Sequence, residues 1–182
     1  MNSSNLFQII RRRTIWSALA ALWVLSVSLQ LTAADANGVI LSPDDIRKAG
    51  NKYGATAEKR LNSWQKLIKN SRGKSEQQKL KAVNDFFNRV RFISDSKHWG
   101  KKDYWATPTE MLGTNGGDCE DYSIAKYLTL RQLGVADKKL RITYVKALTL
   151  NQAHMVVSYY PQPNAVPLIL DNLNKRLLEA SK

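Results

Sequence analysis

Cys119 is the only cysteine in this chain of 182 residues, and it stands in the block "GDCEDY", enclosed by Asp118, Glu120 and Asp121. A cysteine attacks as its thiolate, and neighbouring carboxylates oppose that ionisation. The acids therefore need either a structural account or a compensating charge. Part of the account is local: Asp118 is a good helix N-cap, and Asp121 three residues on resembles its capping-box partner. That places Cys119 in the first turn of a helix, where unpaired amides and the helix dipole favour a thiolate. Gly116 and Gly117 just before it permit a tight turn and close approach by a substrate.

Two further residues complete a candidate constellation. His154 stands at the start of one expected strand and Asp171 at the end of the next. If those strands pair, a nucleophile, a base and a base-orienting carboxylate sit on three elements, with amides at the helix start available to an oxyanion. Each residue also has a plainer reading. A lone cysteine is commonly a small buried hydrophobe, His154 a satisfied strand histidine, and Asp171 a turn residue. His98 is the rival base, but it lies in an irregular segment without an acidic partner.

Positioning these groups requires a scaffold, and the sequence supplies helices first and strands afterwards. "SPDDIRKAGNKYG" opens a helix with Ser42 as cap, Pro43 in the first turn and Asp45 completing a capping box. Residues 55–73 place Leu61, Trp64, Leu67 and Ile68 on one face, with Gly73 beyond the end. A third helix starts at Ser75, answered by Gln78, and buries Leu80, Val83, Phe86, Phe87 and Val90. Residues 91–106 have no clean period and read as a long loop whose Trp99, Tyr104 and Trp105 line or buttress a groove. "TPTEMLG" is a short helix capped by Thr107 and ended by Gly113. The cysteine helix runs to Gly134 and offers Ile124, Leu128 and Leu133 to a core. "LRITYVKAL" (140–148) and "HMVVSYY" (154–160) form an antiparallel pair, "VPLILD" (166–171) is a third strand, and "NKRLLEASK" shows no strand pattern. The order predicts an α+β fold.

Bulk composition narrows the function classes. One cysteine excludes an internal disulfide framework. The formal charge of +13 suggests an acidic partner. Residues 1–36 read as an export signal: Arg11, Arg12 and Arg13, then the apolar run 14–31, then small residues at 32–36, with an uncleaved anchor as the alternative. Residues 37–182 are then the functional domain and keep most of the basic charge. Export, together with the lack of an aromatic-interleaved basic motif, argues against nucleic acid.

Taken together, "DYWATPTEMLGTNGGDCEDYSIAKYLTLRQLG", "HMVVSYY" and "LILDNLN" resemble the bacterial transglutaminase-like cysteine proteinases, over roughly residues 40–175. The resemblance implies a papain-like α+β fold, with the catalytic cysteine at a helix N-terminus packed on an antiparallel sheet. It implies Cys119 as nucleophile, His154 as base and Asp171 as orienter. It also implies a periplasmic enzyme that needs Ca²⁺ and no small-molecule cofactor. Its substrate would be a large surface adhesin cut near its N-terminus at a paired-alanine site, under the control of an inner-membrane cyclic di-GMP receptor. Calcium offers the compensating charge: a hard cation held by Asp118, Glu120 and Asp121, the first two foremost, reverses the field beside the thiol. Acyl transfer to an amine on the same site, a catalytically silent receptor-binding module and an arylamine acetyltransferase are the competing readings.

Overall fold

The computed structural model describes residues 39–180; the leader expected over residues 1–36 lies outside the described residues. Helix α1 (Pro43–Tyr53) starts with the expected capping box: Asp45 N donates to Ser42 Oγ at 3.2 Å, and Ser42 N donates to Asp45 Oδ2 at 3.1 Å. It ends at Gly54, whose φ of 93° is the left-handed region that favours glycine. Helices α2 (Ala55–Ser71) and α3 (Glu76–Phe87) bury Leu61, Trp64, Ile68, Leu80, Val83 and Phe87 in one core. Trp64 meets Phe87 edge-on at 6.3 Å between centroids, and its indole donates to Thr129 Oγ1 at 3.0 Å. A large apolar ring with a satisfied polar tip thus pins α2 to the cysteine helix.

Residues 91–106 are more ordered than a loop. Strand β1 (Arg91–Phe92) pairs in parallel with β2 (Gly116–Gly117), and α4 (Asp95–His98) follows it. Elements this short cannot display a period, and one strand of the pair is two glycines, so no pattern announces them. Helix α5 (Pro108–Thr114) has its Thr107–Glu110 capping box but runs past Gly113. Asn115, at φ 56°, supplies the left-handed cap instead. Gly113 is inside because of space: a Cβ there would lie 2.5 Å from the Tyr53 ring. Arg60 takes up the last carbonyls, Nε donating to Leu112 O at 2.5 Å and Nη2 to Gly113 O at 2.6 Å.

Helix α6 (Cys119–Gln132) packs against α3, α5, β2, β3 and β4. Being covered on several sides, it needs no single apolar stripe. Of the residues expected to face the core, Leu133 is buried, while Ile124 and Leu128 are only half-buried. Within the helix the buried set is Tyr122, Ala125 and Leu130 with the polar Asp121, Ser123, Lys126 and Thr129. After a short 3₁₀ turn (Asp137–Lys139) come β3 (Leu140–Ala147), β4 (Gln152–Tyr159), β5 (Leu168–Leu170) and β6 (Leu178–Glu179). They form an antiparallel sheet in that order, with Val145 opposite His154 and Val157 opposite Leu170. β6, in the segment without a strand pattern, adds Leu178 opposite Ile169. The result is the α+β architecture that the sequence predicts.

Candidate active site

The start of α6 is fixed by Asp121. Its carboxylate, fully buried, accepts from Asp118 N at 3.1 Å and from Ala106 N at 2.7 Å. Burial raises this carboxyl most; the two amides oppose the rise and the charges of Asp95 and Glu120 add to it, leaving it at about 7. Ser123 Oγ donates back to Cys119 O at 2.8 Å, tightening the first turn. The two preceding glycines serve close packing rather than a positive-φ turn. A Cβ on Gly117 would fall 2.7 Å from Asp121 Oδ2, and one on Gly116 would fall 2.7 Å from the His98 ring.

The Cys119 thiol is half-buried and donates to Glu120 Oε2 at 3.0 Å. Burial, then the hydrogen bond to Glu120 and its charge, push the thiol up to about 12; the main-chain amide of Met155 acts the other way. That amide places the sulfur against β4 one residue from His154. No hydrogen bond joins thiol to imidazole among the described residues: the thiol proton faces Glu120.

His154 and Asp171 do come together. The imidazole is buried, and Nε2 lies 2.7 Å from Asp171 Oδ1. Asp171 Oδ1 also accepts from Leu173 N at 3.0 Å, and Oδ2 from Asn174 N at 3.3 Å. Burial alone would raise this carboxyl, but the hydrogen bonds from His154 and the two amides outweigh it and hold it below the usual carboxylate range. An ionised carboxylate can only accept, so Nε2 carries the proton and Nδ1 keeps its lone pair, the tautomer a general base requires. A groove of about 560 Å³ runs past this pair, its walls including Val145, Val156 and Ile169.

The acidic residues divide in an unexpected way. Asp118 and Glu120 are joined by Asp95 from α4, each offering an oxygen within 4.8 Å of the others. Asp121, expected with them, is turned to its two amides. Asp95 went unnoticed because an aspartate in a segment without a period gives no sequence signal. The donor set suits calcium: all oxygen, three carboxylates, and buried oxygens without a hydrogen-bond partner at Asp95 Oδ1 and Asp118 Oδ1. Burial first, then Glu120, then Asp95 and Asp121, raise Asp118 to about 8.

The loop aromatics differ in role. Tyr104 packs 4.7 Å from Trp99 between centroids, its amide donates to Asp95 Oδ2 at 2.5 Å and its hydroxyl to Glu110 at 3.0 Å, so it buttresses the cluster. Trp105 is exposed. His98, the rival base, is engaged with Thr114 Oγ1 at 2.9 Å.

A cysteine at a helix start, set against the strand that carries a histidine held by an acid, is the layout of a papain-type thiol hydrolase. The chain belongs to the bacterial transglutaminase-like cysteine proteinases (BTLCP), whose family model matches residues 54–182. Among solved structures it is similar to LapG of Legionella pneumophila, 44% identical, at a TM-score of 0.68 over 78% of this chain. The match covers 78% of LapG itself and of its calcium-bound form, and 76% of its EGTA-treated form. No curated protein sequence matches. The fold is therefore transglutaminase-like, and the family is one of cysteine proteinases.

Proposed function

We propose that this protein is a periplasmic, calcium-dependent cysteine endopeptidase in which Cys119 is the nucleophile, His154 the base and Asp171 its orienter. The observation that carries the reading is the His154–Asp171 hydrogen bond, which leaves Nδ1 as proton acceptor on a residue adjoining the strand amide that touches the thiol. His154 takes the thiol proton, the sulfur attacks the scissile carbonyl, and amides at the start of α6 face the oxyanion. The imidazolium returns its proton to the leaving amine, and water then hydrolyses the thioester.

Asp95, Asp118 and Glu120 are the residues that would hold calcium. When bound, the cation supplies positive charge beside a thiol otherwise surrounded by carboxylates. This chain's part is to bring three oxygens together from two separate helix starts, with Tyr104 and Asp121 bracing them. Similarity to a LapG solved in calcium-bound and EGTA-treated forms supports the metal.

The substrate follows from the same family: the N-terminal region of a large surface adhesin, cut at a paired-alanine site and so released from the cell. An inner-membrane cyclic di-GMP receptor would control access to it, and the export signal read in residues 1–36 supports the compartment. The test is to incubate the purified domain with an adhesin N-terminal fragment, with calcium and with EGTA. Calcium-dependent cleavage that disappears in Cys119→Ala is the expected result. Intact substrate under every condition would point to a silent receptor-binding module.

A further inference from the structure

Two asparagines, Asn84 and Asn88, are buried at the C-terminal end of α3, at 1% and 7% exposure. Asn88 N donates to Asn84 O at 3.0 Å, so the two lie one helical turn apart and share a face. Each side chain makes one hydrogen bond among the described residues, and both bonds run to the segment after β5. Asn88 Nδ2 donates to Asp171 O at 2.8 Å, and Asn84 Nδ2 to Lys175 O at 3.0 Å. A main-chain oxygen only accepts, so the NH₂ is the end of each amide that faces it. Both Oδ1 atoms are buried without a partner, a cost that a leucine of similar shape avoids. What asparagine adds at both positions is a donor aimed at that segment.

Residues 171–177 contain no helix or strand. The pairing of β5 with β6 fixes the two ends of the segment, and Asp171 shapes its inner turn by accepting from Leu173 N and Asn174 N. The asparagines supply the hydrogen bonds that tie it to the helical layer. The same end of α3 also holds the cysteine helix. Tyr122, three residues after Cys119, donates its hydroxyl to Val90 O at 2.5 Å, two residues beyond Asn88. One helix end is thus bonded to the main chain of Asp171 and to the helix that carries Cys119.

We propose that Asn88 is a positioning residue of the peptidase, supported by Asn84: by holding the main-chain oxygens of Asp171 and Lys175 against α3, the pair sets the direction in which the Asp171 carboxylate meets His154 Nε2. The inference rests on the triad reading above. Asn88 touches neither the imidazole nor the thiol. It acts through the main chain of Asp171, whose carboxylate lies 2.7 Å from Nε2. Without that hold the segment keeps its inner turn, but the carboxylate is free to swing, and the imidazole loses the partner that fixes its tautomer.

Two measurements on the calcium-loaded full chain test it. Asn88→Leu and Asn88→Asp keep the shape of the side chain and remove its donor. The chain has only two histidines, so ¹⁵N NMR resolves the His154 ring nitrogens. Wild type should show Nε2 protonated and Nδ1 bare, and both variants should show the two tautomers in exchange. The kcat on an adhesin fragment should fall about ten- to a hundredfold with KM little altered. Gly113→Ala, strained at Tyr53 and remote from this segment, controls for lost stability and should keep the wild-type His154 spectrum and kcat. Asn84→Leu should act in the same direction with smaller amplitude, and it carries the test if the Asn88 variants do not fold. A wild-type His154 spectrum and kcat in the folded variants would overturn the proposal, as would the same defect in Gly113→Ala. Cleavage by wild type with unchanged variants sinks only the asparagines' role. Altered tautomers in the variants, with every fragment left intact by wild type, sink the peptidase reading instead.

Discussion

Cys119 donates its thiol proton to Glu120 Oε2, 3.0 Å away, while the His154 imidazole, proposed above as the acceptor of that proton, is bonded through Nε2 to Asp171. Cys119 on α6 and His154 on β4 are thus each engaged with a different acid, and the thiol proton rests with Glu120. The acids around the only cysteine are therefore antagonists of its ionisation as well as candidate metal ligands.

Removing the charge at this contact should release the thiol. In EGTA-treated protein, Glu120→Gln should alkylate at Cys119 about tenfold faster than wild type at neutral pH, since it loses a carboxylate acceptor and its charge. Mass spectrometry of iodoacetamide-treated samples gives the rates. An unchanged or slower rate would mean that burial alone holds the proton.

Replacing Asp171 by Asn keeps the shape but allows the wrong imidazole tautomer. The kcat for peptide cleavage should fall by about 10²–10⁴-fold with KM little altered. His154→Ala should abolish thioester formation. Steady-state kinetics on an adhesin fragment check both, and a mutant defect confined to KM would remove Asp171 from the orienting role.

The division among the carboxylates predicts different phenotypes. At a calcium concentration about a hundredfold above Kd, wild type should gain about 5–10 °C in Tm. Asp95→Asn and Asp118→Asn should lose that gain. Asp121→Asn should instead lower Tm with EGTA as well, because its carboxylate holds Asp118 N and Ala106 N. Differential scanning fluorimetry separates the two classes, and a full calcium response in Asp95→Asn would exclude that residue as a ligand.

The raised carboxyls set a pH dependence. Asp118 at about 8 and Asp121 at about 7 bind protons in the folded chain that the unfolded chain, near 3.8, has already released. These two carboxyls make stability fall as pH rises from about 4 to 7, since the native state holds more protons there, while above about 7 the buried Lys126, lowered to about 7, opposes the trend. Calcium competes with the proton on Asp118, so its affinity should rise with pH and level off above about 8. Thermal midpoints and calcium titrations between pH 5 and 9 test the two slopes. A midpoint that climbs between pH 5 and 7 in EGTA would contradict the assignment.

Gly113→Ala should destabilise the fold by about 1–3 kcal/mol although alanine is the better helix former, because its Cβ meets the Tyr53 ring. Urea unfolding measures it. A neutral or stabilising effect would show that Tyr53 moves aside freely.

The chain's local grammar was legible wherever one residue answers another a few positions away. Ser42 with Asp45, Ser75 with Gln78 and Thr107 with Glu110 marked helix starts that the structure keeps, because a capping box is completed within one turn. The β3–β4 hairpin followed from two runs of β-formers joined by a short connection. What failed were features fixed by distant neighbours: Gly113 inside a helix because of Tyr53, β6 as a strand because β5 offers an edge, and a cysteine helix whose buried face is largely polar.

By itself the sequence determined the α+β order and the helix-borne thiol. Only the tertiary structure decided how the acids are shared: Asp121 to backbone amides, Glu120 to the thiol, and Asp95 brought in from a separate helix to join Asp118 and Glu120. The reason is geometric. Capping follows from chain connectivity, whereas the direction a carboxylate points depends on which amides, thiols and charges the remaining elements carry to within hydrogen-bonding distance of it.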